Sequence, residues 1–238
     1  MKTILFKLSG PLQSWGTQSH FETRQTDRYP SKSAVIGIIA ASLGYRRDED
    51  KKIQQLNDLD FGVRVDQTGE SLRDYQTVKK YKKNGKLDRT YVTNRYYLED
   101  AVFVVAIGHK NNQLMQEIEE GLKHPYFQPF MGRRSLPLTA DFYIGSNHHS
   151  VVENLKNIDW QAAPWYQKTN SNKLEVYVDA DLVEEGFIRM RQDKIQSFSQ
   201  KERSHGFRGE RHFEVMVPHH NERSRFFQEH DAFGILGD

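Results

Sequence analysis

The stretch from Leu72 to Tyr97 limits the possible folds of this chain more than any other. It reads LRDYQTVKKYKKNGKLDRTYVTNRYY, with Lys79, Lys80, Lys82, Lys83, Lys86, Arg89 and Arg95 set against the single acid Asp88 in its central part. Tyr75, Tyr81, Tyr91, Tyr96 and Tyr97 are interleaved with those charges. Asn84-Gly85 is a strong hairpin signal, because a two-residue type I′ turn needs positive φ at both central positions. Thr77 and Val78 before it, and Thr90, Val92 and Thr93 after it, favour extended backbone. Such a ribbon is too polar to bury both faces, so the sequence predicts a hairpin standing away from the core. Cations neutralise phosphates and aromatic faces stack on unpaired bases, which makes the ribbon a candidate nucleic-acid surface. The plainer reading is a solvated hairpin whose lysines only aid solubility.

The rest of the composition decides what else the chain can be. Its 238 residues allow one large domain or two small ones. Only 37% are hydrophobic, but 14 Phe, 11 Tyr and 3 Trp supply a core, so the chain folds and keeps a large polar surface. The net charge is just +2, so a nucleic-acid signal has to lie in where the charges sit. With no cysteine there can be no disulfide, zinc-thiolate site or Cys nucleophile, which is compatible with a reducing cytosol. No apolar run approaches the ~20 residues of a membrane span, and the start is too short for a signal peptide. The expectation is a cytoplasmic protein with no membrane partner.

Along the chain, Lys2–Leu8 reads as a first strand, stopped by the Gly/Pro loop that carries Trp15. A polar loop holding Arg24 and Arg28 leads to a helix over Ala34–Leu43, with Ser31 or Ser33 as its cap and Gly44 as its stop. That helix is apolar nearly all round and needs more than one neighbour to cover it. Gly37 inside it predicts close approach of another backbone. Asp48–Leu59 predicts a short amphipathic helix, Phe61–Val65 a strand and Ala101–Ile107 a central strand. Asn112–Lys123 places Leu114, Met115, Ile118 and Leu122 on one helical face, ended by Pro125.

This order is βαββαβ with a hairpin inserted between the middle strands. It predicts an α+β class: a ferredoxin-like, RRM-like domain over residues 1–145, a scaffold shared with many RNA-recognition modules. Residues 146–238 predict a small β-rich C-terminal region, with strands at Leu174–Val178, Phe187–Met190 and His212–Val217; Phe142–Ile144 is a further strand at the boundary. Ser197–Arg211, polar and basic with two glycines, reads as a mobile loop.

Several segments together resemble a known family: LSGPLQSWG at 8–16, YPSKSAVIG at 29–37, LRDY at 72–75 and GRRSLPLT at 132–139. In order and spacing they are similar to the CasD-type subunits of type I-E CRISPR Cascade complexes, members of the repeat-associated (RAMP) superfamily. The likeness spans roughly residues 1–145. It implies a thumb hairpin that grips the 5′ handle of CRISPR RNA, in a subunit that caps the assembly and touches its backbone and large subunits. It also implies a non-catalytic role, since another subunit of that subtype cuts the precursor. Arg95 falls where the family's thumb presents an arginine, and Arg28 and Lys32 fall at basic family positions. The lysine-rich middle of the hairpin departs from the family pattern.

Taken together, the candidate RNA-binding residues are Arg24, Arg28, Lys32, Lys79, Lys80, Lys82, Lys83, Arg95, Arg133 and Arg134. The guanidinium fork of Arg133 or Arg134 matches phosphate oxygens, although a surface ion pair would use the same group. Lys32 and Ser33 at a helix N-terminus suit a phosphate, and equally suit simple capping. Trp15 can stack a base or pack in the core. The tandem histidines His148-His149 and His219-His220 point to opposite faces of a strand and do not chelate, so no metal or other cofactor is expected. His205, His212, His219 and His220 are expected near solvent. No catalytic residue is assigned. Two competitors stay open: a metal-independent endoribonuclease acting on CRISPR precursor RNA through Tyr, His or Lys, and an adaptor that uses the hairpin edge for strand addition.

Overall fold

The computed structural model describes residues 1–17 and 22–218, so the expectation for His219-His220 lies outside the described residues. The first unit is β1 (Lys2–Ser9), β2 (Leu12–Gln13), β3 (Thr23–Arg24), α1 (Lys32–Ser42), α2 (Asp50–Gln55) and β4 (Asp60–Gln67). Next come the long pair β5 (Glu70–Tyr81) and β6 (Leu87–Glu99), then β7 (Val102–His109), α3 (Asn112–Lys123) and β8 (Tyr143–Asn147). The chain continues through α4 (Val151–Asn157), α5 (Pro164–Thr169), β9 (Lys173–Asp179), β10 (Arg189–Ser197) and β11 (Ser204–Met216).

The fold is α+β, built on a seven-stranded sheet in the order β10-β11-β9-β4-β7-β1-β8, and every neighbouring pair runs antiparallel. Strand periodicity shapes the two cores. On β7, Phe103, Val105 and Ile107 face a core shared with Ile36, Ile39 and Ile118 of α1 and α3. The intervening Val104 and Ala106 face a second core with Val151, Leu155 and Trp160. A central strand buried on both faces reads as a continuous apolar run, which is why Ala101–Ile107 shows no alternation in sequence.

Local signals explain the helix ends. Ser31 caps α1 through its side-chain oxygen, which accepts from Ala34 N at 3.3 Å. At the other end the Gly44 N–H reaches Ala41 O and the Tyr45 N–H reaches Ala40 O, with Gly44 at φ +77, a Schellman stop. Asn111 caps α3 by accepting from Gln113 N and Leu114 N. Gly37 is not a backbone crossing point: a Cβ there would meet only the Phe198 ring at 3.6 Å, an ordinary contact. That face of α1 is covered by an aromatic side chain.

The C-terminal third extends the same sheet. β9 pairs with β4 through Gly62↔Val178, Val63↔Tyr177 and Arg64↔Val176, and the expected boundary at 145 falls inside β8. α4 and α5 occupy a stretch of the β-rich region for which the sequence names no element, and α4 opens on a capping box between Ser150 and Glu153. The expected loop over Ser197–Arg211 is a correction: Ser204–Arg211 lies in β11. Its charge misleads because Arg208, near its end, is paired inside, while Lys201 and Arg203 stay exposed. Arg208 is 8% exposed, holds Asp193 through two bonds of 2.9 Å, and also reaches Asp179 and Glu210 at 2.9 Å. Arg191 stacks over Tyr29 at 4.2 Å and reaches Asp27 at 3.0 Å and Glu210 at 3.4 Å. Tyr29 donates to Glu210 at 2.7 Å, and burial raises its pKa. Among the described residues no helix is long and apolar enough to cross a membrane.

Candidate nucleic-acid interface

β5 and β6 pair from Glu70↔Glu99 to Tyr81↔Leu87, with one irregularity beside Lys80. At roughly 3.3 Å per residue, twelve residues reach about 40 Å. Every residue from Thr77 to Thr90 is exposed, so the outer half of the ribbon contributes nothing to either core. Lys79, Lys80, Lys82, Lys83, Lys86 and Arg89 are all on it. Among the described residues, only Lys80 of this set approaches an acid, Asp88 at 3.7 Å, in a pair open to solvent. Tyr75 and Tyr81 show open aromatic faces, and Arg89 lies over the Tyr91 ring at 4.7 Å.

The tip differs from the expected two-residue type I′ turn. The Gly85 N–H bonds Lys82 O at 2.9 Å, the Lys82 N–H bonds Lys86 O at 2.8 Å, and Gly85 has φ +80 while Asn84 has no positive φ. This is a three-residue loop with glycine in the left-handed position, the next most common hairpin closure. Asn84 instead accepts from Lys86 N through its side chain.

The root of the ribbon is held on the side of β6. β2 pairs with it at Leu12↔Glu99, and β3 runs parallel to it at Thr23↔Asn94 and Arg24↔Arg95. The loop after Phe130 packs on the 10–16 loop: Ser14 N bonds Met131 O at 3.2 Å, and Gly132 sits at φ +83. A Cβ on Gly132 would lie 1.7 Å from Ser14 O, so only glycine fits. This close approach delivers Arg133. Its guanidinium stacks over Tyr97 at 4.0 Å and donates to Tyr96 O at 3.0 Å and Arg24 O at 3.2 Å.

Arg24, Arg95 and Arg133 therefore converge at the hairpin root, and exposed Arg134 adjoins them in sequence. Arg133 Nη1 and Arg95 Nε are buried with no hydrogen-bond partner among the described residues. Arg28 is exposed beside Tyr29, apart from the bonds that join the other arginines. Arg73 was missed by the sequence reading; it stands opposite Tyr96 and holds Asn94 at 2.9 Å. Lys86 and Arg89, noted in the charge run but left out of the candidate set, share the exposed ribbon. The charge run itself could have found Lys86 and Arg89, and strand alternation between half-buried Leu72 and Asp74 could have found Arg73.

Lys32 does not join this surface. It is 6% exposed, with its ammonium 2.9 Å from Asp179 and 2.8 Å from Asn57 O. Its backbone N–H, the donor a phosphate would use, is taken by Asp193 at 2.9 Å. A protein carboxylate already satisfies that helix end, so capping is the reading the structure supports. Trp15 is likewise core, 1% exposed, with its indole N–H on Gln13. His212 is exposed, while His205 is partly buried against Phe198. Burial, then the nearby Arg203, lower the His205 pKa, against an opposing pull from Asp193.

A family model described as CRISPR-associated protein (Cas_Cas5) matches residues 3–218. The chain belongs to the Cas5 family. The match covers the hairpin, its root and the C-terminal strands alike. Among curated proteins, this Cas5-family chain is similar to "CRISPR system Cascade subunit CasD" of Escherichia coli (strain K12). The two are 35% identical over 159 residues, covering 60% of this chain and 70% of the relative. Among solved structures it is similar to a chain described as "CRISPR RNA-guided surveillance complex", with TM-score 0.75 and 29% identity over 91% of both chains. A second, described as "Crystal structure of Cas protein", gives TM-score 0.67 and 31% identity over 91% of this chain and 97% of the other.

Proposed function

We propose that this chain is a non-catalytic, RNA-binding subunit of a CRISPR Cascade complex in the cytoplasm, holding the 5′ handle of CRISPR RNA. The β8-β1-β7-β4 portion of the sheet, with α1 and α3 sharing one core, supports a ferredoxin-like unit over about residues 1–145. The β5–β6 ribbon is its thumb, and in the C-terminal region, 146–238, the described strands β9, β10 and β11 extend the sheet beside β4. The observation that carries this reading is the exposed run of cations, almost without acid partners, rooted where Arg24, Arg95 and Arg133 converge. Phosphates meet the lysines along the ribbon, and the fixed guanidiniums at the root position the strand. Capping the assembly through its backbone and large subunits belongs to the same reading, supported by the likeness to the Cascade subunit.

The test is incubation of the purified chain with end-labelled CRISPR repeat RNA, with and without divalent metal. The expected result is saturable, salt-sensitive binding and intact RNA. Site-specific cleavage abolished by replacing one His or Tyr would establish the endoribonuclease instead. Binding to other subunits but never to RNA would establish the adaptor.

A further inference from the structure

The three tryptophans of this chain have very different surroundings. Trp15 is 1% exposed and Trp160 6%, but Trp165 is 60% exposed. Trp165 lies on α5, which is fastened to the start of the hairpin. Gln67, at the end of β4, accepts from Ala163 N at 3.0 Å and donates to Asp100 O at 2.6 Å, so one buried amide ties α5 to the β6–β7 turn. Thr68 N donates to the Tyr166 hydroxyl at 3.3 Å, and Gln167 donates to Trp160 O and Ala162 O. Trp165 itself meets Tyr166 edge to face, with centroids 5.7 Å apart. Trp165 is thus an exposed indole on a well-anchored turn, outside both cores.

Its place in the fold gives it a use. Gln67 and Thr68 lead almost directly into β5, which among the described residues pairs only with β6 and is an edge of the ribbon's sheet. Arg24 and Arg133 join the ribbon from the β6 side. Arg24 and Arg133 thus lie on the β6 side of the root, and α5, which carries Trp165, is tied to the β5 side.

We propose that Trp165 is a stacking platform for an unpaired RNA base, placed at the β5 edge of the hairpin root. This rests on the RNA-binding reading above. Stacking is tolerant of sequence because every base has a π-face, and it is insensitive to salt because the indole carries no charge. The lysines and Trp165 thus act by separable physics.

The experiment titrates the full chain with a labelled single-stranded oligouridylate, following RNA anisotropy and tryptophan emission together at several salt concentrations. With Trp15 and Trp160 enclosed, a change in emission on binding reports Trp165. The expected result is quenching in step with binding. Trp165→Ala, checked by its melting curve, should weaken affinity by about 5- to 150-fold with an unchanged salt slope, and Trp165→Phe should retain part of the affinity. Full affinity in Trp165→Ala, together with emission unmoved by bound RNA, would overturn the platform while leaving RNA binding in place. Failure of the wild-type chain to bind RNA at all would overturn both.

Discussion

Replacing Lys79, Lys80, Lys82 and Lys83 together by Gln tests the ribbon most directly. All four are exposed, and among the described residues only Lys80 of them approaches an acid, Asp88 at 3.7 Å with both groups partly in water. The cost to folding is therefore small, within about 1 kcal/mol. The effect on RNA is not small. Each phosphate of a single strand that the protein no longer neutralises lowers the log–log salt slope by about 0.7. Lys79 and Lys80 are adjacent on β5 and point to opposite faces, so a strand on one face uses about half of the four cations. The slope should then fall by about 1.4, or by about 2.8 if RNA wraps the ribbon. Over a fourfold rise in salt, 2.8 in slope is roughly a fiftyfold difference in affinity loss, and 1.4 is about sevenfold. Fluorescence anisotropy from 50 to 200 mM salt, on the order of the range used for such slopes, reads this directly. A variant whose slope and affinity match the wild type would refute the argument, whatever its stability.

Arg95→Ala should act on discrimination: native handle over scrambled RNA falls by about tenfold in competition binding, with a salt slope near that of wild type, since a side chain at the root meets a fixed position. Arg208→Ala should destabilise by about 3–5 kcal/mol in urea unfolding, because Asp179, Asp193 and Glu210 would be left without their shared buried partner. Burial alone would raise the Glu119 pKa, but hydrogen bonds from Lys123, Lys2 and Tyr143 hold it down at about 2. A depressed carboxylate contributes its stability above the ordinary Glu range and loses it as pH falls towards 2. The gap in urea midpoint between wild type and Glu119→Gln should accordingly be present at neutral pH and shrink between about pH 4 and pH 2.

Much of the N-terminal fold is legible in one dimension because its signals are local. The apolar run 101–107, the Asn111 cap with its i, i+3, i+4 stripe, and the Ser31…Gly44 bracket each name an element before any packing is known. The projecting hairpin is legible for the same reason, since its charge and its Asn-Gly signal both lie within thirty residues. Tertiary structure decided which of several charges are paired. Lys32 and Arg133 are both basic residues in loops or at helix starts, yet one is neutralised by Asp179 of β9 and the other lies on Tyr97 at the hairpin root. Arg208, in a stretch that reads as loop, becomes buried strand because carboxylates from β9, β10 and β11 meet it. A charge far from its partner in sequence carries no mark of whether it will be paired. Only the long-range register of the sheet, which brings residues 32, 179, 193 and 208 together, settles which cations are enclosed and which remain for a ligand.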